Sequence, residues 1–335
     1  MSYYKVAVLG ATGLVGREMV KILEERDFPL KELKLFASER SAGKKITFKG
    51  QKITVEACSE GSFHNIDLAL FSAGTEAGRF YGEIASRQGT IVIDNSNAFR
   101  MDKNVPLVVP EVNADDILNH QGIIANPNCS TIQLVLVLKP IYDELGVTRL
   151  IISTYQSVSG TGKKAVQELM DQTESIMAAS GFKPEVYPHQ IAFNVLPHID
   201  IFENNFYSRE EMKLVRETKK ILHDEQIKIS ATAVRVPVII GHSESVYLET
   251  RKIISLPELE NLLNKAAGVK VLNDPKNNIY PLPVMSKFKD EVLVGRLRKD
   301  LDVENGYHLW VVGNNLRKGA ALNAVQIAEH VIRNF

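Results

Sequence analysis

Val8-Leu9-Gly10-Ala11-Thr12-Gly13-Leu14-Val15-Gly16 decides the fold. Three glycines, spaced G-x-x-G-x-x-G, separate the strand-like run 4–9 from a stretch in which Leu14, Val15, Met19, Val20, Ile22 and Leu23 recur at helical spacing. Glycines between a strand and a helix let the backbone turn tightly and come close to a pyrophosphate. The free N–H groups of the helix start then bind the anion. The spacing departs from the commoner G-x-G-x-x-G, but strand before and helix after supply the context that such a motif needs. Gly10, Thr12, Gly13, Leu14, Val15 and Gly16 are therefore candidate dinucleotide contacts. A purely structural glycine turn is the competing reading.

The alternation begun there continues. Residues 33–37, 66–71, 90–94 and 122–125 read as short strands, and residues 76–87 as a helix. Such alternation predicts a parallel sheet covered by helices, an α/β Rossmann-like dinucleotide-binding domain over residues 1–128. The second half changes character. Residues 148–158, 227–240, 243–254, 291–298 and 306–312 read as longer strands, with helical patterns at 163–179, 209–225 and 257–267. That order predicts an α+β domain with a mixed or antiparallel sheet over residues 129–313. In the last stretch Ala321, Ala324, Val325, Ala328 and Val331 fall at i, i+3, i+4 spacing. A terminal helix, 314–335, is expected to return to the first domain.

Composition bounds the function. A chain of 335 residues suits two domains at about 150 residues each. With 44% hydrophobic and 24% charged residues it is an ordinary globular chain, which excludes a disordered, collagenous or coiled-coil protein. Forty basic residues balance forty acidic ones, so no net charge attracts nucleic acid or a membrane surface. Neither is expected as a partner, although a local patch suffices for a small anion. Two cysteines, Cys58 and Cys129, make no disulfide framework, which points to a reducing, cytoplasmic setting. The first ten residues lack a signal-peptide pattern, and no apolar run nears the ~18 residues of a membrane span. No metal site is expected.

The end of the second strand discriminates between nicotinamide cofactors. An acidic residue there suits the ribose 2′-hydroxyl of NAD, and an arginine suits the 2′-phosphate of NADP. The sequence offers both: Glu39 for NAD, and Ser38, Arg40 and Ser41 for NADP, with Lys44 and Lys45 behind. Guanidinium and hydroxyl groups both donate to phosphate oxygens, and the balance favours NADP. Ser72 and Gly74 follow the third strand at the edge that faces a cofactor in such sheets.

Ile124-Ala125-Asn126-Pro127-Asn128-Cys129-Ser130-Thr131 places a cysteine at the start of an apolar helix. There the helix dipole and free N–H groups lower a thiol pKa towards a usable thiolate. Most free cysteines are small buried apolar residues, but the polar strand-to-helix turn favours a nucleophile. Cys58 has no such setting and reads as structural.

Together, residues 10–16, Asn126-Pro127-Asn128-Cys129-Ser130-Thr131 and Gly241-His242-Ser243-Glu244 give the chain its resemblance to aspartate-β-semialdehyde dehydrogenase, along essentially its whole length. The resemblance implies reduction of L-4-aspartyl phosphate to L-aspartate 4-semialdehyde with NADPH, in the route to lysine (through diaminopimelate), threonine and methionine. It implies that Cys129 attacks the acyl phosphate, expels phosphate and holds a thioester. His242 would be the acid/base, its ordinary pKa of ~6.5 suiting proton exchange, and Gln156 would orient the acyl centre. Arg235, Glu210, Lys213 and Arg100 would bind substrate: an α-carboxylate on Arg235, the ammonium on Glu210, and phosphate on Lys213 and Arg100. Ser159, Gly160 and Asn315 would meet the nicotinamide end, with Asn314 the alternative to Asn315. The second domain would also be the dimerisation domain, giving a homodimer or a homotetramer. The competing readings are an N-acetyl-γ-glutamyl-phosphate reductase, a cysteine hydrolase and a non-catalytic nucleotide sensor.

Overall fold

The computed structural model describes residues 3–287 and 289–333. Residues 1, 2, 288, 334 and 335, among them the tips of the expected segments 1–128 and 314–335, lie outside the described residues. Two units are distinguished: Met1–Asn128 with Ala320–Phe335, and Cys129–Gly319.

In the first unit, strands β1 (Tyr4–Leu9), β2 (Leu30–Ala37), β3 (Lys45–Phe48), β4 (Gln51–Ala57), β5 (Leu68–Phe71), β6 (Ile91–Asp94) and β7 (Ile123–Ala125) form a sheet in the order β3-β4-β2-β1-β5-β6-β7. All pairings are parallel except β3 with β4. β5 is buried along its whole length, as a parallel strand covered on both faces must be. The core joins Leu35, Val55, Leu70 and Ile93 to Met19 and Leu23 of the helix Leu14–Glu25 and to Ala324, Val325 and Ala328 of the helix Leu322–Arg333. β1 lies between β2 and β5, so the strand order reverses there and opens a crevice at the C-terminal strand ends.

The terminal helical segment starts later than residue 314. The Asn314 Oδ1 accepts the N–H groups of Leu316 and Arg317 at 3.0 and 3.1 Å, and helical structure begins only at Arg317. The β3–β4 hairpin was not read in the sequence. Its turn, Lys49-Gly50, holds both residues at positive φ (45° and 76°), the conformation that matches strand twist in two-residue hairpins.

The second unit holds β8 (Val147–Gln156), β9 (Lys228–Arg235), β10 (His242–Thr250), β11 (Val269–Val271), β12 (Val292–Lys299) and β13 (Gly306–Gly313), in the order β11-β12-β13-β10-β8-β9. Parallel pairs (β8 with β9, β11 with β12) sit beside antiparallel ones, so the sheet is mixed. Leu134, Val137, Leu138 and Ile141 of the helix Cys129–Leu145 meet Val246, Leu248, Leu309 and Val311 on one face. The other face is partly open: Ile151 and Tyr155 are 39% and 36% exposed, and the Tyr155 and Trp310 rings stand 5.5 Å apart.

Two expected strands end earlier than predicted, and both ends make the site. β8 stops at Gln156 because the N–H of Ser157 is given to a histidine ring rather than to the ladder. β9 stops at Arg235, two residues before Pro237, which has no N–H to offer.

Candidate active site

In the first unit a cleft of about 740 Å³ opens at the C-terminal ends of β1, β2 and β5. Gly10, Thr12 and Gly13 line it from the first turn. Gly10 has φ +80°, and a Cβ there would collide with the Ser72 carbonyl. Gly16 does not line the cleft; it packs against the Gly10 carbonyl and lets the helix approach the turn. The helix Leu14–Glu25 has Gly13 as its N-cap and no side-chain cap, which leaves the first-turn N–H groups of Leu14, Val15 and Gly16 for an anion. These features fit a pyrophosphate.

Ser38, Arg40 and Ser41 line the same cleft beyond β2, and Ser72 and Gly74 line it beyond β5. Glu39 is there too, so both cofactor-selecting chemistries sit at one place. The sequence missed some lining residues, Cys58 and Tyr81 among them. Cys58 lies at the cleft wall, with burial pushing its thiol up to about 11, and the Tyr81 hydroxyl donates to the Cys58 carbonyl at 3.1 Å. Arg100 also belongs to this unit. It is buried, and its Nη2 donates to the Asn95 carbonyl at 2.9 Å.

In the second unit Cys129 opens the helix Cys129–Leu145 and is half-buried. Gln133, one turn on and on the same helix face, donates from Nε2 to the His242 carbonyl at 3.4 Å. His242 opens β10 opposite Gly313, while Gln156 and Arg235 pair at the ends of β8 and β9. The sheet thus brings Arg235, Gln156 and His242 to one end of three adjacent strands, all three buried.

The polar contacts form a connected set. Gln156 Nε2 donates to Glu210 Oε1 at 3.1 Å, and Lys213 Nζ lies 3.0 Å from both Glu210 Oε2 and Asp200 Oδ2. Arg235 Nη1 donates to the Ser157 carbonyl at 2.7 Å, while its buried Nε has no partner among the described residues. Tyr187 stands 6.0 Å from the Arg235 guanidinium, brought there by a segment whose N–H groups donate to Glu168.

Gly160 packs against the Arg235 and His242 side chains. A Cβ on it would stand 3.2 Å from Arg235 Nη1 and 3.3 Å from His242 Nε2. Asn315 holds this region together. Its Oδ1 accepts from Gly241 N (2.9 Å) and Ser157 Oγ (3.1 Å), and its Nδ2 donates to Ser159 Oγ (2.9 Å). Asn314 instead donates to the Lys287 carbonyl at 2.8 Å.

His242 does not titrate near neutrality, as the sequence suggested it would. Burial first, then the Arg235 charge, pushes its pKa down to about 3 against the opposing pull of Glu210. The ring is neutral at physiological pH. Glu244, two residues on, is fully buried, with the Gln133 side chain as its polar neighbour. Burial pushes its pKa well above the usual range.

Two family models match the chain: the semialdehyde dehydrogenase NAD binding domain over residues 5–120 and the semialdehyde dehydrogenase dimerisation domain over residues 138–318. The aspartate-semialdehyde dehydrogenase of Aquifex aeolicus is 55% identical over 334 residues, 98% of each chain. The chain belongs to the aspartate-semialdehyde dehydrogenase family. The Bacillus subtilis member is 52% identical, covering 97% of this chain and 96% of its own. A crystal structure of aspartate-semialdehyde dehydrogenase II from Vibrio cholerae, complexed with ASA, matches with TM-score 0.98 at 45% identity over 100% of both chains. The Candida albicans aspartate-semialdehyde dehydrogenase structure with NADP matches at TM-score 0.76 and 28% identity over 99% of both. As an aspartate-semialdehyde dehydrogenase the chain is an oxidoreductase of amino-acid biosynthesis with a nicotinamide cofactor. Among the described residues no helix is long and apolar enough to cross a membrane.

Proposed function

We propose that the protein interconverts L-4-aspartyl phosphate and L-aspartate 4-semialdehyde with NADPH as reductant, through a thioester on Cys129. The observation that carries this reading is the polar set at one end of the second unit's sheet. It offers a guanidinium with a buried N–H and a histidine nitrogen, both without a partner among the described residues, and a buried carboxylate beside an ammonium. A small substrate with a carboxylate, an amino group and a reactive acyl carbon needs those partners once water is excluded.

Cys129, as a thiolate favoured by its helix start, adds to the acyl carbon and releases phosphate. A nicotinamide bound at the end formed by Ser159 and Gly160 would supply the hydride that reduces the thioester, and the Cys129 sulfur leaves as thiolate when the aldehyde forms. Arg235 grips the α-carboxylate, Glu210 takes the ammonium, and Lys213 and Arg100 take phosphate. Gln156 orients the acyl centre while its Nε2 is held by Glu210. Glu210 also favours a free amino acid over an N-acetylated one, which has no ammonium to pair.

Ser38, Arg40 and Ser41 support NADP over NAD. Asn315, with its amide committed to Gly241, Ser157 and Ser159, serves as the post that shapes the nicotinamide end formed by Ser159 and Gly160. The open face of the second sheet packs against a second copy, giving a homodimer. Its product enters the cytoplasmic route to lysine, threonine and methionine. One assay tests the reaction: NADPH formed from aspartate semialdehyde and NADP. Turnover should require added phosphate, and phosphate-independent turnover would exclude an acyl-phosphate product. Light scattering tests the dimer.

A further inference from the structure

Two buried polar side chains, Glu168 and Gln172, stand one turn apart on the helix Lys163–Met177. Both are committed to the main chain of one irregular segment, residues 185–192. The Glu168 carboxylate accepts the N–H groups of Glu185 at 2.9 Å, Val186 at 2.5 Å and Tyr187 at 3.3 Å, and the Gln172 amide at 3.2 Å. The Gln172 Oε1 accepts the N–H groups of Ile191 and Ala192 at 2.9 and 3.2 Å. Ile191 and Ala192 themselves lie in one apolar cluster with Val158, Ala165 and Leu169. A buried acceptor that serves several N–H groups at once fixes a segment that has no ladder of its own.

The segment is fastened to Arg235 at two points. Leu196, just beyond it, exchanges both main-chain hydrogen bonds with Arg235, at 2.8 and 2.9 Å. Tyr187 sets its ring 6.0 Å from the guanidinium, and its hydroxyl donates to Thr161 Oγ1 at 3.1 Å. Arg235 is 5% exposed; its Nη1 is committed to the Ser157 carbonyl, and its Nε has no partner among the described residues. A buried guanidinium with a spare donor binds an anion best when it cannot swing and when water stays away from it.

We propose that residues 185–192 form the wall of the α-carboxylate site and that Tyr187 is a positioning residue in it. Its ring holds the Arg235 fork in place and keeps water from it, while Glu168 and Gln172 are the clamp that sets the ring. The inference rests on the reading that Arg235 grips the α-carboxylate of the substrate. Acting through Arg235, the ring supports substrate and transition state alike, so its loss falls on KM rather than on kcat.

Steady-state kinetics of the full chain with aspartate semialdehyde, NADP and saturating phosphate test the wall. Tyr187→Ala should raise the semialdehyde KM about 10-fold, with kcat within about 3-fold of the parent and the NADP KM unmoved. Tyr187→Phe keeps the ring and drops the bond to Thr161, and it should stay within about 3-fold of the parent throughout. Glu168→Gln turns one acceptor into a donor facing N–H groups, so it should reproduce the KM shift of Tyr187→Ala. An unchanged semialdehyde KM in Tyr187→Ala, a loss confined to kcat, or a raised NADP KM would overturn the proposal. So would a Tyr187→Phe enzyme as impaired as Tyr187→Ala, or a folded Glu168→Gln enzyme with the parent's KM. If Glu168→Gln does not fold, the two Tyr187 variants decide. Arg235→Lys separates the two levels: it should raise the semialdehyde KM more than Tyr187→Ala does, and an unchanged KM there would sink the α-carboxylate reading itself.

Discussion

The cofactor cleft of the first unit and the polar set of the second are built by opposite means. The cleft is shaped by main chain: Gly10 at positive φ, Gly13 at an uncapped helix start, and Gly16 against the Gly10 carbonyl. Two side chains of opposite charge, Glu39 and Arg40, stand exposed at its rim. The polar set is shaped by buried side chains from distant segments that hold one another: Gln156 is held by Glu210, and Asn315 by Ser157, Ser159 and Gly241. Backbone sites fail when a methyl group intrudes. Side-chain networks fail when one partner is removed, because the other is left buried and unpaired.

The largest effect that would break this contrast is chemical. Cys129→Ala should lower semialdehyde-dependent NADPH formation by about 10³-fold or more, while fluorescence titration shows unchanged NADPH binding. Substantial remaining turnover would remove Cys129 as nucleophile. Next come two glycines that part company. Gly160→Ala sets a methyl group against His242 Nε2 and Arg235 Nη1, and kcat should fall about 10–100-fold with little change in melting temperature. Gly10→Ala strains a positive-φ position against main chain, so stability should drop by about 1–3 kcal/mol together with cofactor affinity. If both variants lost stability alike, the two regions would not differ as described. A smaller change separates the cofactors. Arg40→Ala should raise the NADPH KM about 10-fold and leave NADH nearly unmoved, measured with each cofactor at saturating substrate. Equal losses would mean that Arg40 does not read the 2′-phosphate.

The smallest effect concerns Glu244. Its folded pKa lies well above the ordinary glutamate value, so between the two the unfolded chain releases a proton that the folded chain keeps. Stability from this group is full below the unfolded pKa and declines as pH rises towards the folded one. Glu244→Gln removes that decline. Its melting temperature should match the parent at pH 4 and exceed it at pH 8. A variant less stable than the parent at pH 8 would mean that the carboxyl is ionised and paired.

What was legible in the sequence follows the same contrast. The cleft could be read because its parts are contiguous: strand, glycines and helix occupy residues 4–25. Cys58 was missed as a lining residue because the β3–β4 hairpin was missed, and the end of β4 is what carries Cys58 to the cleft, its N–H donating to the Ala37 carbonyl at 2.9 Å. Lys49-Gly50 was the available signal, weak because lysine seldom takes positive φ. In the second unit, Cys129 and His242 could be named from local motifs and resemblance. The contact between the Ser157 N–H and the His242 ring joins residues 85 apart and uses a backbone N–H, which no side-chain pattern announces. Burial, too, has no local signature. The same Gly-His-Ser-Glu segment was read for its histidine, whereas Glu244, a carboxyl fully buried in the structure, went unread.

The central claim is a covalent bond to one sulfur. Mixing the enzyme with aspartate semialdehyde and NADP, without phosphate, should form one NADPH per site and stop. After acid quenching, mass spectrometry of the peptide containing Cys129 should find it heavier by one aspartyl group in thioester linkage. The same burst of NADPH with an unmodified Cys129 peptide would contradict the account.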